Sequence, residues 1–288
     1  MPSPVLIVAN PIAGRGRGET VAHAVAQALR RAGCEVDVRL TRARGDAQRW
    51  ARESGRGARC VVSVGGDGTL REVFEGLDEH TPVALAPLGT ANVLSIDLDL
   101  PREPQAIAAL ALAGRTQAID VARANGALSF LVTGVGLDAA AVAEVERVRR
   151  GPITKLAYVG AMWRALHGYR APQLTVELDG QRVDGPVGML LISNVIHYGG
   201  SFRLSPQRRL DDGVFEVYLF RNASRSALAR AALRAWLAHL PGGACELRRA
   251  RSVLVRADAP VPYHVDGDRG GATPLEFEVC GQRRLIVP

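Results

Sequence analysis

One carboxylate stands among three glycines at Gly65-Gly66-Asp67-Gly68, after the apolar run Val61-Val62-Ser63-Val64 and before Thr69-Leu70-Arg71-Glu72. These residue types in this order spell strand, glycine turn and helix start. Glycines let the main chain turn sharply and approach a ligand closely. Amides exposed at a helix N-terminus favour an anion, phosphate above all. A carboxylate in such a nest repels phosphate unless a divalent cation lies between them. The stretch therefore points to a nucleotide site with Mg²⁺; the plainer alternative is a tight turn with Asp67 as a helix cap. Two more acidic glycine turns follow. Tyr263-His264-Val265-Asp266-Gly267-Asp268 sets two carboxylates around a glycine, and a carboxylate beside a substrate hydroxyl can take its proton as it attacks phosphorus. Leu210-Asp211-Asp212-Gly213-Val214 offers a carboxylate beside main-chain oxygens, a donor set suited to Mg²⁺ or Ca²⁺. Each of these two also reads as an ordinary Asp-Gly turn. Their presence in one chain is what calls for explanation.

The elements that must present these turns are legible in order. Val5–Ala9, Glu35–Leu40, the run ending at Val64 and Pro82–Pro87 read as strands, the first of them continuously apolar. Helices are expected over Glu19–Ala32, Asp46–Glu53, Thr69–Leu77 and Pro104–Ala113, and a strand over Ala118–Ala122. Alternating strands and helices make a parallel α/β domain. Its polar loops, Asn10-Pro11 to Gly18, Gly65 to Thr69 and Leu88-Gly89-Thr90-Ala91-Asn92, fall at C-terminal strand ends, where such sheets bind ligands. Gly14, Gly16 and Gly18 miss the GxGxxG spacing, which disfavours a dinucleotide site.

After Asn125-Gly126 the pattern changes. A strand Leu128–Thr133 and helices Ala139–Arg149 and Ile153–His167 precede a run of strands: Gln173–Leu178, Val187–Ile192, Val214–Phe220, Ser252–Arg256, Pro262–Val265 and Leu275–Val279. Asp179-Gly180 and Cys280-Gly281 suggest hairpins, and a helix Ser224–His239 interrupts the strands. The expectation is a nucleotide-binding α/β domain over 1–123, with 282–288 as a candidate to rejoin it. A mostly antiparallel β domain over 124–281 follows.

Composition narrows the classes. The 288 residues are 47% hydrophobic and 5% aromatic, enough for two Leu/Val/Ala-rich cores. A formal charge of +7 suits nucleotide, acidic lipid or nucleic acid, but no groove-reading or base-stacking motif supports the last. Lys155 is the sole lysine, so no Walker A loop exists. Cys34, Cys60, Cys245 and Cys280 are isolated, as in a reducing compartment, and no apolar run reaches the ~20 residues of a membrane span. A cytoplasmic protein touching the inner face of the membrane is expected. Ser224–His239 carries Leu228, Leu233, Trp236 and Leu237 among Arg225, Arg230 and Arg234. Arg147-Val148-Arg149-Arg150 is followed by Lys155, Tyr158 and Trp163. Either stretch could lie on an anionic surface or simply cover a sheet. Nothing in the sequence sets an oligomeric state; a dimer is compatible with it.

Taken together, the motifs resemble those of the soluble diacylglycerol kinase and sphingosine kinase family, its bacterial lipid kinases in particular. The likeness runs from Val5 to the C-terminus through Asn10-Pro11 with Gly14, Gly65-Gly66-Asp67-Gly68-Thr69, and Pro87-Leu88-Gly89-Thr90-Ala91-Asn92. It continues through Asn194, Tyr198-Gly199-Gly200, Pro206 with Leu210-Asp211-Asp212-Gly213, and Asp266-Gly267-Asp268. The resemblance implies transfer of the γ-phosphoryl of ATP to a lipid hydroxyl, with Mg²⁺, in a cleft between the two domains. It implies nucleotide contacts from Asn10, Gly14, Thr41, Gly65, Gly66, Asp67, Gly68, Thr69, Leu70, Arg71, Glu72, Thr90 and Asn92. Asp67 would hold the catalytic Mg²⁺ through water, and Asp268 would be the general base with Asp266 oriented beside it. A separate structural Mg²⁺ would be held by Asp212 and the main-chain oxygens of Arg209 and Val214.

Four positions depart from the family pattern. Ala13 replaces a serine, Arg71 an asparagine, Val93 an aspartate of the Mg²⁺–water network, and Asp268 a glutamate one methylene longer. A displacement of order 1 Å can cost ~10²-fold in rate, so Val93 and Asp268 also admit a nucleotide- and lipid-binding regulatory protein with reduced or lost kinase activity. NAD kinase and the phosphofructokinases share the GGDG-type turn, but the motifs around Tyr198 and Asp212 fit the lipid kinases better.

Overall fold

The computed structural model describes residues 3–148, 160, 164–167, 169–198, 202–204, 208–221, 223–237 and 240–288. The chain divides into one unit of Met1–Ile119 with Gln282–Pro288 and another of Asp120–Gly281.

Apolar runs build the first unit's sheet. β1 (Val5–Ala9) and β3 (Cys60–Gly65) are buried at every position, as strands covered on both faces must be. With β2 (Val36–Leu40) and β4 (Pro82–Pro87) they form the order β2-β1-β3-β4, all parallel. Ala9 pairs with both Leu40 and Val64, so the C-terminal ends stand level. A short turn α1 (Ala13–Gly16) leads into α2 (Gly18–Arg31), whose Ala22, Val25, Ala26 and Leu29 are buried at helical spacing. α3 (Asp46–Ser54) and α4 (Asp67–Gly76) bury Ala47 and Ala51, and Leu70, Val73 and Phe74, respectively. The five-residue α5 (Val93–Asp97), too short to show a period, was not expected; α6 (Pro104–Ala113) has the expected bounds.

In the second unit, period-two patterning gives antiparallel pairing. β14 (Cys245–Ala250), β13 (Phe215–Phe220), β10 (Met189–Ser193), β7 (Val132–Val135), β16 (Pro262–Val265) and β17 (Asp268–Ala272) lie side by side in that order. Every neighbouring pair is antiparallel. A second layer pairs β15 (Ser252–Ala257) with β8 (Leu174–Leu178) and with the first residues of β18 (Leu275–Ile286). The core between the layers includes Ile192, Val217, Val255, Phe215 and Phe277. The last two rings meet edge to face with centroids 5.0 Å apart, an arrangement worth about 0.5–1.5 kcal/mol beyond burial. The expected parallel α/β domain followed by a mostly antiparallel β domain is what the chain forms.

Some details differ from expectation. The strand Leu128–Thr133 is two, β6 (Ala127–Ser129) and β7, separated by Phe130-Leu131. Cys280-Gly281 is not a hairpin: β18 runs straight through it, and Arg284 and Leu285 pair in parallel with Pro82 and Val83. The helix α7 (Leu137–Val148) starts two residues early. Most of Ile153–His167, with Arg149, Arg150, Lys155, Tyr158 and Trp163, lies outside the described residues, as do Gly199, Gly200, Pro206 and His239. The last helix, α8, is Arg225–Trp236, capped by Ser224 Oγ, which accepts from the Ala227 amide.

Candidate active site

In the first unit, main-chain bonds gather four loops at the C-terminal edge of the parallel sheet. The Asn10 amide donates to Val64 O and the Thr41 amide to Ala9 O, each at 2.9 Å, while Leu88 N donates to Gly65 O at 2.7 Å. Asn10 accepts from Ile12 N at Oδ1 (3.2 Å), which shapes the first loop. Gly14 there has φ +61°, and a Cβ on Gly18 would stand 1.9 Å from Asn10 O. The two glycine turns touch through their backbones: a Cβ on Gly89 would lie 2.6 Å from Gly66 Cα, and one on Gly65 2.4 Å from Thr69 Oγ1. Gly66 is the extended residue before α4 (φ −100°, ψ −172°), so Asp67 opens the helix. The first intrahelical bond runs from Leu70 N to Gly66 O (3.1 Å); the amides of Asp67, Gly68 and Thr69 precede it and have no acceptor within the helix. Asp67 is half-buried, while Gly68 and Thr90 are exposed.

Three residues expected at the nucleotide turn out to build the scaffold. Leu70 is fully buried in the core, so its side chain contacts no ligand. Glu72 Oε2 accepts from the Ala47 amide (3.2 Å), which ties α4 to the first turn of α3. Asn92 is buried, with φ +47°, and closes its turn on itself: Oδ1 accepts from Gly89 N (2.8 Å) and Nδ2 donates to Gly89 O (2.7 Å). Val93 follows as a buried residue of α5.

In the second unit, Asp266 and Gly267 (φ +50° and +85°) form the two-residue loop joining β16 to β17, with Val265 paired to Asp268. It is a hairpin turn, and more than that. Asp266 Oδ1 accepts from Ser129 Oγ, Leu131 N and Val132 N, and Oδ2 from Phe130 N, all at 3.0 Å. The Asp266 amide in turn donates to Val132 O (2.9 Å). With four donors on its carboxylate, Asp266 is an anchor for the turn rather than a group held ready for protons. Asp268, the next carboxylate, is half-buried.

The side chains behind this turn have no role assigned to them by the sequence. His264 and Asp138 are buried (1% and 2% exposed), with His264 Nε2 2.5 Å from Asp138 Oδ2. The Tyr198 hydroxyl donates to Asp138 Oδ1, and the Gly267 amide to His264 Nδ1 at 3.3 Å. Both ring nitrogens of His264 therefore have partners. A Cβ on Gly134 would stand 2.5 Å from both Asp138 Oδ2 and His264 Nε2. Glycine is what leaves room for the pair.

The acidic turn does not match the metal site expected there. The Arg208 guanidinium, whose side chain is 0% exposed, donates to Asp212 Oδ1 at 2.8 Å and also to the Val214 carbonyl. Two of the three groups expected on the structural Mg²⁺ therefore already hold a cation. Arg209, whose main-chain oxygen was the third, turns its exposed side chain to Asp211 at 3.4 Å.

Comparison with known proteins adds the lineage. Residues 4–124 match the diacylglycerol kinase catalytic domain, and residues 131–286 match the YegS C-terminal NAD kinase beta sandwich-like domain. The diacylglycerol kinase of Bacillus subtilis (strain 168) is 28% identical over 277 residues, spanning 94% of this chain and 91% of that protein. A YegS-like lipid kinase of Pseudomonas aeruginosa (PAO1) is 34% identical over 290 residues, spanning 96% and 92%. The crystal structure of a diacylglycerol kinase from Bacillus anthracis str. Sterne aligns with a TM-score of 0.74 at 20% identity, over 100% of this chain and 97% of that one; it shares the fold.

Proposed function

This chain belongs to the bacterial family of diacylglycerol kinase and YegS-type lipid kinases, and from that premise we propose that it moves the γ-phosphoryl of ATP to a hydroxyl of a diacylglycerol-like lipid. The phosphates lie against the helix start at Asp67-Gly68-Thr69, where amides and helix dipole favour anions. Asn10, Gly14, Thr41, Arg71 and Thr90 shape the rest of the nucleotide site. The lipid hydroxyl oxygen attacks the γ-phosphorus, the bond to the bridging oxygen breaks, ADP leaves, and the hydroxyl proton passes to the Asp268 carboxylate.

Among the described residues no cluster of three His, Cys, Asp or Glu side chains could hold a metal. An Mg²⁺ carried mainly by substrate phosphates and one or two carboxylates does not require one, and Asp67, half-buried at the start of α4, is the carboxylate suited to it. When bound, such an ion neutralises charge developing on the transferred group. Asp67 would hold it, and the glycines on either side leave room for it.

The Asp266 anchorage is the observation that carries the reading. An ordinary hairpin turn needs no four-donor clamp, whereas a base that must meet a hydroxyl within a fraction of an ångström does. The test is phosphate transfer from labelled ATP to diacylglycerol and a panel of extracted lipids, with Asp268→Asn beside the wild type. Equal transfer by the two would remove Asp268 from the mechanism. Nucleotide binding by calorimetry with no transfer to any lipid would favour the regulatory reading.

Membrane contact belongs to the outer face of α8. Among the described residues no helix is long and apolar enough to cross a membrane. In α8, Ala227, Leu228, Ala231 and Ala235 face inward, while Leu233 and Leu237, one turn apart, are 54% and 50% exposed. Exposed Arg230 and Arg234 flank them. Leucines beside arginines suit an anionic bilayer surface. Sedimentation with phosphatidylglycerol vesicles tests this: Leu233→Ser/Leu237→Ser is expected to lose vesicle binding, and unchanged binding refutes the assignment.

A further inference from the structure

At the turn Asp211–Val214 the protein carries its own cation in the position where family resemblance calls for a divalent ion. Arg208 Nη1 donates to Asp212 Oδ1 at 2.8 Å, and Nη2 to the Val214 carbonyl and to the Asn194 side-chain oxygen. Its side chain is 0% exposed and its Cζ lies 6.0 Å from the Phe215 ring centroid. A divalent ion on these oxygens would sit about 2.0–2.6 Å from each, inside the space the guanidinium fills and next to its charge. The two cations exclude each other. We propose that Arg208 replaces the structural divalent ion, so that this chain builds the acidic turn without a metal.

The chemistry of arginine suits the task. Its planar fork serves several acceptors at once and stays charged at any working pH, whereas the compact ammonium of lysine has neither property to the same degree. One buried positive charge meets one carboxylate, with a carbonyl and an amide oxygen completing its surroundings.

The cation also reaches the turn that holds Asp268. Asn194, which accepts from Arg208, is itself fully buried; its Nδ2 donates to Asp120 O (2.9 Å) and its amide to Leu131 O (2.8 Å). Asp120 Oδ2 accepts from Gly213 N at 2.7 Å, closing the acidic turn on the same residue. Leu131 N is one of the donors to Asp266. Arg208 is thus a positioning residue, joined through Asn194 and Leu131 to the anchored carboxylate two residues before Asp268.

The test is thermal unfolding of the nucleotide-free full chain in EDTA and across a series of Mg²⁺ and Ca²⁺ concentrations. Wild type keeps one Tm throughout. Arg208→Ala melts lower in EDTA by on the order of 10 °C, and part of that loss returns with either ion, because Asp212 and Val214 can then bind it. Arg208→Ala/Asp212→Asn shows no return. A wild-type Tm that rises with Mg²⁺ or Ca²⁺, and loses the rise in Asp212→Asn, overturns the proposal. So does an Arg208→Ala chain as stable as wild type, or one whose loss neither ion restores. If Arg208→Ala does not fold, the wild-type and Asp212→Asn series decide alone. No arm measures lipid phosphorylation, so failure of the kinase reading leaves this result standing.

Discussion

Asp266 and Asp268 are two carboxylates two positions apart on one hairpin, the first in its turn and the second in its return strand. Asp266 meets four donors from Ser129 to Val132; Asp268 stands at the first position of β17. Substituting each with asparagine separates their roles. Asp268→Asn removes the base and is expected to lower kcat by ~10²–10⁴-fold. Asp266→Asn turns an amide NH₂ toward amide donors and leaves some unsatisfied, a loss of about 1–3 kcal/mol seen as a lower Tm along with lower activity. If instead Asp266→Asn keeps the Tm of wild type, the clamp has no structural role. The sequence made both carboxylates visible but could not tell them apart, because the donors to Asp266 lie more than 130 residues away. His264 was missed for a similar reason: a histidine in an apolar strand looks like core until Asp138 and Tyr198 arrive beside it. Nothing in the Arg208-Arg209 pair itself tells the buried arginine from the exposed one.

The elements themselves were more legible than their contacts. Continuous apolar runs marked β1, β3 and β4, and Pro104 with Gly114 bracketed α6. β14 escaped because Glu246, Arg248 and Arg249 mask its alternation, although Cys245 and Ala250 are buried. The glycines of the nucleotide turns were read as making room for phosphate. At Gly66 and Gly89 they make room for each other, and the difference is measurable. A methyl on Gly89 would stand 2.6 Å from Gly66 Cα and 2.7 Å from Asn92 Oδ1, both tied into turns, whereas one on Gly68 meets nothing within 4 Å. Gly89→Ala is therefore expected to push the two turns apart, lowering Tm by several degrees, for a loss of about 1–3 kcal/mol, and raising KM for ATP. Gly68→Ala leaves the Tm near wild type, so any rise in its KM reports ligand contact alone. Equal Tm values for the two variants would mean that the turns do not depend on their backbone contact.

At the scale of the whole chain, the two units can be followed separately by thiols already in place. Burial pushes the Cys60 thiol up to about 11 and the Cys245 thiol up to about 12. Near neutral pH both are protonated as well as enclosed, and a thiol reagent needs an accessible thiolate. Cys280, by contrast, is exposed. Alkylation of the native protein followed by mass spectrometry is expected to label Cys280 first, and Cys60 and Cys245 only as their units open. Cys60 lies in β3, the strand leading directly to Gly65-Gly66-Asp67, and so reports the unit assigned to nucleotide; Cys245 reports the other. A ligand that binds only the folded state slows labelling through opening by about a hundredfold at ~100 times its Kd. ATP is therefore expected to slow Cys60 by that order, with Cys245 slowed equally only if the two units open together. Protection of Cys245 with Cys60 unaffected would place the nucleotide outside the parallel sheet, against the sequence motif and the helix start that point to it.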